Sequence, residues 1–118
     1  MTNEEAKKRV EFLINALIQG ESSMRYKIAK EGIDWIDLIM RKNADYGSSV
    51  HNPPVLMPEM PPASAIMVRM SDKIQRIAHL LTVRSFSFID ESLEDSIRDL
   101  GAYCLLYLIG PRREKGSE

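Results

Sequence analysis

Four charged side chains recur three or four residues apart in the stretch RMSDKIQRIAHL, residues 69–80. They are Arg69, Asp72, Lys73 and Arg76. In a helix these positions share one side, and apolar residues cover the opposite side. Guanidinium and ammonium groups at this density suit the oxygens of a phosphate. The spacing therefore predicts either an ordinary solvated surface or one half of a phosphate site.

Three acids follow in the stretch ESLEDSIRDLGAY: Glu91, Asp95 and Asp99, at the spacing i, i+4, i+8. Like charges at this spacing repel each other along a helix. The positive end of the helix dipole accounts for Glu91 and partly for Asp95. Asp99 lies in mid-helix, where an apolar segment begins, and a carboxylate in such a place requires a cation.

Two kinds of cation would satisfy Asp99. The first is a basic side chain of the preceding helix, from the set Arg69, Lys73 and Arg76. The second is Mg²⁺, which is usually held by one or two carboxylates together with substrate phosphates. The candidate metal ligands are Asp72, Glu91, Asp95 and Asp99. The spacing leaves both possibilities open.

A third polar group lies in RKNADYG, residues 41–47, and consists of Lys42, Asp45 and Tyr46. The helix dipole explains a lysine there, and turn chemistry explains the other residues. The segment that follows, residues 48–62, contains five of the six prolines and is predicted to be a loop. A loop of this length is either a binding loop or a plain linker.

Apolar periodicity predicts an all-α fold, a compact bundle of four to five helices. Thr2 or Asn3 would cap the first helix and Gly20 would end it, and Ser22 or Ser23 would cap a second helix from Met24. Gly32 is a candidate break or kink in that second helix. We expect helices over residues 64–83 and 91–109, capped by Ser64 and Asp90, to pack antiparallel.

Length and charge limit the remaining possibilities. The 118 residues suit a single all-α domain, with an N-terminal helical extension (1–32), a motif-bearing core (33–109) and a flexible tail (110–118). The formal net charge of −1 argues against general nucleic-acid binding.

No apolar run is long enough for a membrane span, and the first residues lack a signal-peptide pattern, so we expect a cytoplasmic protein. The single cysteine, Cys104, is expected in the core.

The last predicted helix is apolar nearly all round from Leu100 to Ile109. Such a helix is buried on more than one side. A second subunit would supply the missing cover, which predicts a homo-oligomer. The alternative is a central core helix within a monomer.

Taken together, RKNADYG, RMSDKIQRI and ESLEDSIRDLGAY resemble the nucleotide-modification-associated domain of phages and bacteria. The resemblance runs from about Ile33 to Tyr107. The positions that match the polar pattern of that family are Lys42, Asp45, Tyr46, Gly47, Arg69, Asp72, Lys73, Arg76, Glu91, Asp95, Asp99 and Tyr103. A looser similarity is to the MazG-type all-α nucleoside triphosphate pyrophosphohydrolases, although their Glu-Glu-x-x-Glu run is absent and SDKIQR stands in its place.

These resemblances imply a nucleotide-binding protein of phage or bacterial type, working in the host cytoplasm if a phage encodes it. The residues expected to bind the nucleotide are Lys42, Asp45, Tyr46, Arg69, Lys73, Arg76 and Tyr103. One hypothesis is a Mg²⁺-dependent pyrophosphohydrolase of modified nucleotides, in which basic groups stabilise charge on the phosphates. The other is a non-catalytic binder that sequesters a nucleotide immune signal. A purely structural interaction protein would leave Asp99 unexplained.

Overall fold

The computed structural model describes residues 1–46, 52–82 and 92–110, except for the side chains of Asp45 and Tyr46. Within these ranges the chain forms four helices and no strand, which confirms the predicted all-α class. The helices are α1 (Asn3–Ile18), α2 (Met24–Tyr46), α3 (Pro62–Thr82) and α4 (Leu93–Ile109). None of the described helices is long and apolar enough to cross a membrane.

The chain divides into two compact units, Met1–Lys42 and Asn43–Glu118. In the first unit, α1 begins as predicted, because Thr2 Oγ1 accepts a hydrogen bond from the Glu5 backbone N–H at 3.1 Å. The chain reverses at Gly20, whose φ of 103° lies in the left-handed region that glycine tolerates. The predicted helix end at this glycine is therefore confirmed.

Ser23 caps α2 as predicted, since its Oγ accepts from the Tyr26 backbone N–H at 3.2 Å. The expectation of a break at Gly32 is wrong, because α2 continues through that residue without interruption. The buried residues of this unit are the small Ala16 and Ala29. The Arg25 guanidinium lies 4.7 Å from the centroid of the Phe12 ring, where a cation is attracted to the ring face.

The loop before α3 contains two successive turns within residues 54–60. The Met57 N–H donates to the Pro54 carbonyl, and the Met60 N–H donates to the Met57 carbonyl, each at 3.0 Å. Val55 and Leu56 at the tip are almost fully exposed. This segment is therefore rich in turns and exposed to solvent, as its five prolines predict. His51 lies outside the described residues.

Both helices of the second unit begin two residues away from their predicted starts. Helix α3 starts at Pro62, before the predicted cap Ser64, because proline has a helical φ and needs no N–H partner in the first turn. Helix α4 is capped by Ser92, whose Oγ accepts from the Asp95 backbone N–H at 3.0 Å. The predicted cap Asp90 was wrong, since Ser92 fills that role.

Helices α3 and α4 pack against each other, and the Lys73–Asp99 contact brings their middles together. Residues 83–92 connect them in sequence, and their antiparallel direction stays the prediction made from the sequence. Ala65 and Ile66 of α3 and Ser96 of α4 are the buried residues of this hairpin. Cys104 is exposed, so its predicted core position is wrong.

Candidate functional site

The centre of the candidate site is an ion pair between the two helices of the second unit. Lys73 Nζ of α3 lies 3.1 Å from Asp99 Oδ2 of α4. Only 22% of the lysine side chain and 24% of the aspartate side chain are exposed. The mid-helix carboxylate therefore has the cation that its position requires, and it is one of the basic side chains that the sequence offered.

Two arginines flank Lys73 on α3, each about one turn away. Arg69 and Arg76 are both half-buried, and Arg76 Nε is shielded from solvent. Helical spacing places the three cations along one side of α3, within about 11 Å of helix length. This row, Arg69, Lys73 and Arg76, is called the basic row below.

Tyr103 lies on α4 one turn after Asp99 and is half-buried. In the predicted antiparallel arrangement, with Lys73 and Asp99 in contact, this tyrosine is level with Arg69, one turn before Lys73. The basic row and an aromatic ring thus belong to the same region of the hairpin. A guanidinium and an aromatic ring are the two groups that proteins use for a phosphate and a base, respectively.

The negative charge of Asp95 is balanced by an arginine of its own helix. Its Oδ1 lies 3.6 Å from Arg98 Nη1, and 62% of its side chain is exposed. Sequence reasoning did not single out Arg98, although the i, i+3 spacing to Asp95 is a recognised signal for such a pair. The repulsion expected between Asp95 and Asp99 is therefore offset by two different cations, Arg98 and Lys73.

The predicted metal ligands are not all in the described part of the chain. Glu91 lies outside it, Asp72 is exposed, and Asp95 and Asp99 have the cationic partners given above. Within residues 1–46, 52–82 and 92–110, no three histidine, cysteine or acidic side chains converge as ligands. The assignment of these acids to a Mg²⁺ site stays a prediction, in which one or two of them would bind the ion together with nucleotide phosphates.

The third predicted group lies at the end of α2. Lys42 is an exposed residue of the first unit. Asp45 and Tyr46 belong to the last turn of α2, but their side chains, like Gly47 as a whole, lie outside the described residues. Their assignment to the nucleotide site stays a prediction.

Comparison of the chain with protein-family models, curated proteins and solved structures finds no match. The functional conclusion therefore depends on the geometry of the α3–α4 hairpin and on the motifs in its sequence.

Proposed function

We propose that this protein binds a nucleotide or nucleotide-derived small molecule through its phosphates, at the basic row of α3. The observation that carries the proposal is the half-buried Lys73–Asp99 pair between two arginines that are themselves half-buried. Long basic side chains on a purely solvated surface extend into water. Here the contact with Asp99 holds Lys73 in place, and partial burial restricts Arg69 and Arg76, which lowers the conformational entropy that a bound phosphate must remove.

The chemistry of the basic row suits an anionic ligand. The row brings three cationic side chains to one side of α3, and Lys73 pairs with Asp99 of α4. The guanidinium groups of Arg69 and Arg76 present planar donor pairs that match phosphate oxygens. In this proposal Asp99 orients Lys73, and the arginines hold the phosphates.

Two versions of this function remain, and they share the same binding groups. In the enzymatic version, the protein is a Mg²⁺-dependent nucleotide pyrophosphohydrolase. The ion would be held by one or two of the candidate acids and the phosphates, and it would polarise a phosphoanhydride. In the sequestering version, the protein holds a nucleotide signal intact. The ion pairs of Asp95 and Asp99 favour the second version, because a carboxylate that ligates a metal must give up its cationic partner.

A single experiment separates these versions. The purified protein is incubated with a panel of nucleoside mono-, di- and triphosphates and cyclic dinucleotides, with Mg²⁺ or with EDTA. Both the products and the protein-bound nucleotide are then quantified by chromatography. Turnover that EDTA abolishes would support the hydrolase, whereas intact nucleotide recovered stoichiometrically after denaturation would support the binder.

The variants Arg69→Gln and Arg76→Gln test the site itself. Each removes a phosphate contact, so we expect the affinity for the bound nucleotide to fall at least tenfold. Arg41→Gln is the matched control, because Arg41 is an exposed arginine of the first unit that pairs with Asp37 at 2.9 Å. Unchanged affinity in the Arg69→Gln/Arg76→Gln double variant would refute the proposed site.

A further inference from the structure

One side of α3 carries a repeat of seven residues that faces solvent. Small residues occupy its first position, and large apolar residues occupy its fourth. The six positions, called the α3 seam, are Ser64, Met67, Ser71, Ile74, Ala78 and Leu81, and all six are exposed. The large ones expose 47% (Met67), 53% (Ile74) and 59% (Leu81) of their surface.

No charged residue lies on this seam. The charges of α3 are confined to Asp72 and the basic row, and the seam lies on the other side of the helix. Exposed surfaces of soluble proteins normally carry about one charged residue in three or four. This outer helix face carries three small–large pairs at heptad spacing and no charge. That is the composition of a helix–helix contact rather than of a solvated surface.

Helix α4 extends the same apolar surface. Ile97 and Leu108 expose 51% and 43% of their surface, and Cys104 between them is also exposed. The α3 seam lies roughly 110° around the axis of α3 from the side that contacts α4. The three exposed α4 residues lie about the same angle around the axis of α4 from the side that contacts α3, and in the same rotational sense. Because antiparallel helices have opposite directions, equal rotations bring both stripes to one side of the hairpin, away from Arg69, Asp72 and Arg76.

We infer that this side of the hairpin is covered by the same side of a second copy of this chain, which forms a four-helix bundle. The seam is self-complementary, since antiparallel pairing about a two-fold axis sets the small residues of one copy against the large residues of the other. Small residues at Ser64, Ser71 and Ala78 allow two such helices to approach closely. Thus α3 would use one side for pairing and the other for its ligand.

The available area suits such a pair. Helices of the lengths of α3 and α4 are about 31 Å and 25 Å long and about 11 Å wide, which gives a footprint of roughly 600 Å² on each copy. This lies at the lower end of the range for a specific interface, which buries about 600–1,000 Å² on each partner. A second hairpin of the same length covers this footprint completely, because it has the same shape and the same seam.

The first test is the mass of the full chain in solution at several concentrations, measured by light scattering. We expect twice the chain mass of 13.5 kDa, and a shift to the single-chain mass for Ile74→Glu. His79→Glu is the control, since His79 is an exposed α3 residue outside the seam. A concentration-independent monomer would overturn the inference. A dimer unaffected by Ile74→Glu would also overturn it.

A second measurement avoids any doubt about whether Ile74→Glu folds. In a Cys104→Ser background, the chain has no other cysteine, so Ser71→Cys and His79→Cys each introduce one thiol. Around a two-fold axis near the middle of the seam, the two thiols at position 71 lie close together, whereas those at position 79 lie about 20 Å apart along the helices. A short thiol cross-linker should join two chains efficiently for Ser71→Cys only. Equal yields from both variants would contradict the predicted pairing.

Discussion

Lys73 and Asp99 meet at 3.1 Å across the α3–α4 contact, and about three-quarters of each side chain is buried. The pair is thus neither a surface salt bridge nor a fully desolvated one. It joins the basic row of α3 to Asp99 of α4, so it links the stability of the hairpin to the electrostatics of the proposed phosphate site.

Breaking this pair on one side is expected to destabilise the hairpin. Asp99→Asn and Lys73→Met should each lower the free energy of unfolding by about 1–3 kcal/mol, between the values for exposed and buried pairs. The double variant should lose less than the sum of the single losses, because neither charge is then left alone. Denaturant unfolding of all four proteins provides the double-mutant cycle.

The exposed Asp37–Arg41 pair serves as control, with a coupling of a few tenths of a kcal/mol. Strictly additive losses at Lys73 and Asp99 would show that the pair contributes nothing.

The cap residue Ser92 and the buried residue Ser96 of α4 should change the free energy of unfolding in opposite directions when each is replaced by alanine. Ser96 is fully buried, and its Oγ makes no hydrogen bond to any described residue, so Ser96→Ala should raise the free energy of unfolding by about 1 kcal/mol. Ser92→Ala removes the cap of α4 and should lower it by about 1 kcal/mol. Thermal and denaturant unfolding measure both changes. A clear loss of stability in Ser96→Ala would mean that the hydroxyl has a partner that the described residues do not provide.

Two glycines of the first unit provide a similar contrast. At Gly20 an added Cβ meets no atom within 4 Å, but the φ of 103° is unfavourable for an L-residue, so Gly20→Ala should destabilise by about 1–2 kcal/mol. At Gly32 the Cβ also meets nothing, and the residue lies inside α2, so Gly32→Ala should stabilise by about 0.5–1 kcal/mol. Circular dichroism measures the helical content of both variants, and unfolding curves measure their stability. Similar effects of the two substitutions would argue against the left-handed backbone at Gly20.

Lys30 should titrate above its ordinary value. A hydrogen bond from its Nζ to Asp34 Oδ2 at 2.7 Å, together with the charge of that carboxylate, raises the pKa of the Lys30 amine above 10.5. The associated stabilisation is fully present below the pKa of the unfolded chain and is lost as the pH rises through the folded pKa. Because the amine is fully exposed, the readout is NMR titration rather than unfolding. Asp34→Asn should lower the pKa towards 10.5, and an unchanged value in that variant would contradict the assigned cause.

The helices could be predicted from sequence because their apolar residues recur at helical spacing, and this pattern determines which segments fold as helices. Their starts could not be predicted to the residue. Ser64, Asp90 and Ser92 all have capping side chains, and only tertiary structure decides which one is used. The partner of Asp99 could be narrowed to three basic side chains or Mg²⁺ because a mid-helix acid needs a cation. The choice of Lys73 depends on the register of α3 against α4, which helical periodicity does not specify.

Cys104 shows where pattern reasoning failed. It lies in the apolar run AYCLLYLI, which predicts burial, yet it is exposed on α4. Periodicity identifies an apolar residue but not what covers it, since the interior of one chain and the interface between two copies have similar composition.

The turns at residues 54–60 give the chain a natural point for insertion. Their tip, Val55 and Leu56, is almost fully exposed, and two turn hydrogen bonds, from Met57 to Pro54 and from Met60 to Met57, join the surrounding backbone. A fluorescent or affinity peptide placed between these residues would break one of those bonds and leave both α3 and α4 intact. Such an internal tag would leave both chain termini free, so the protein could be followed in living cells without altering either of its ends.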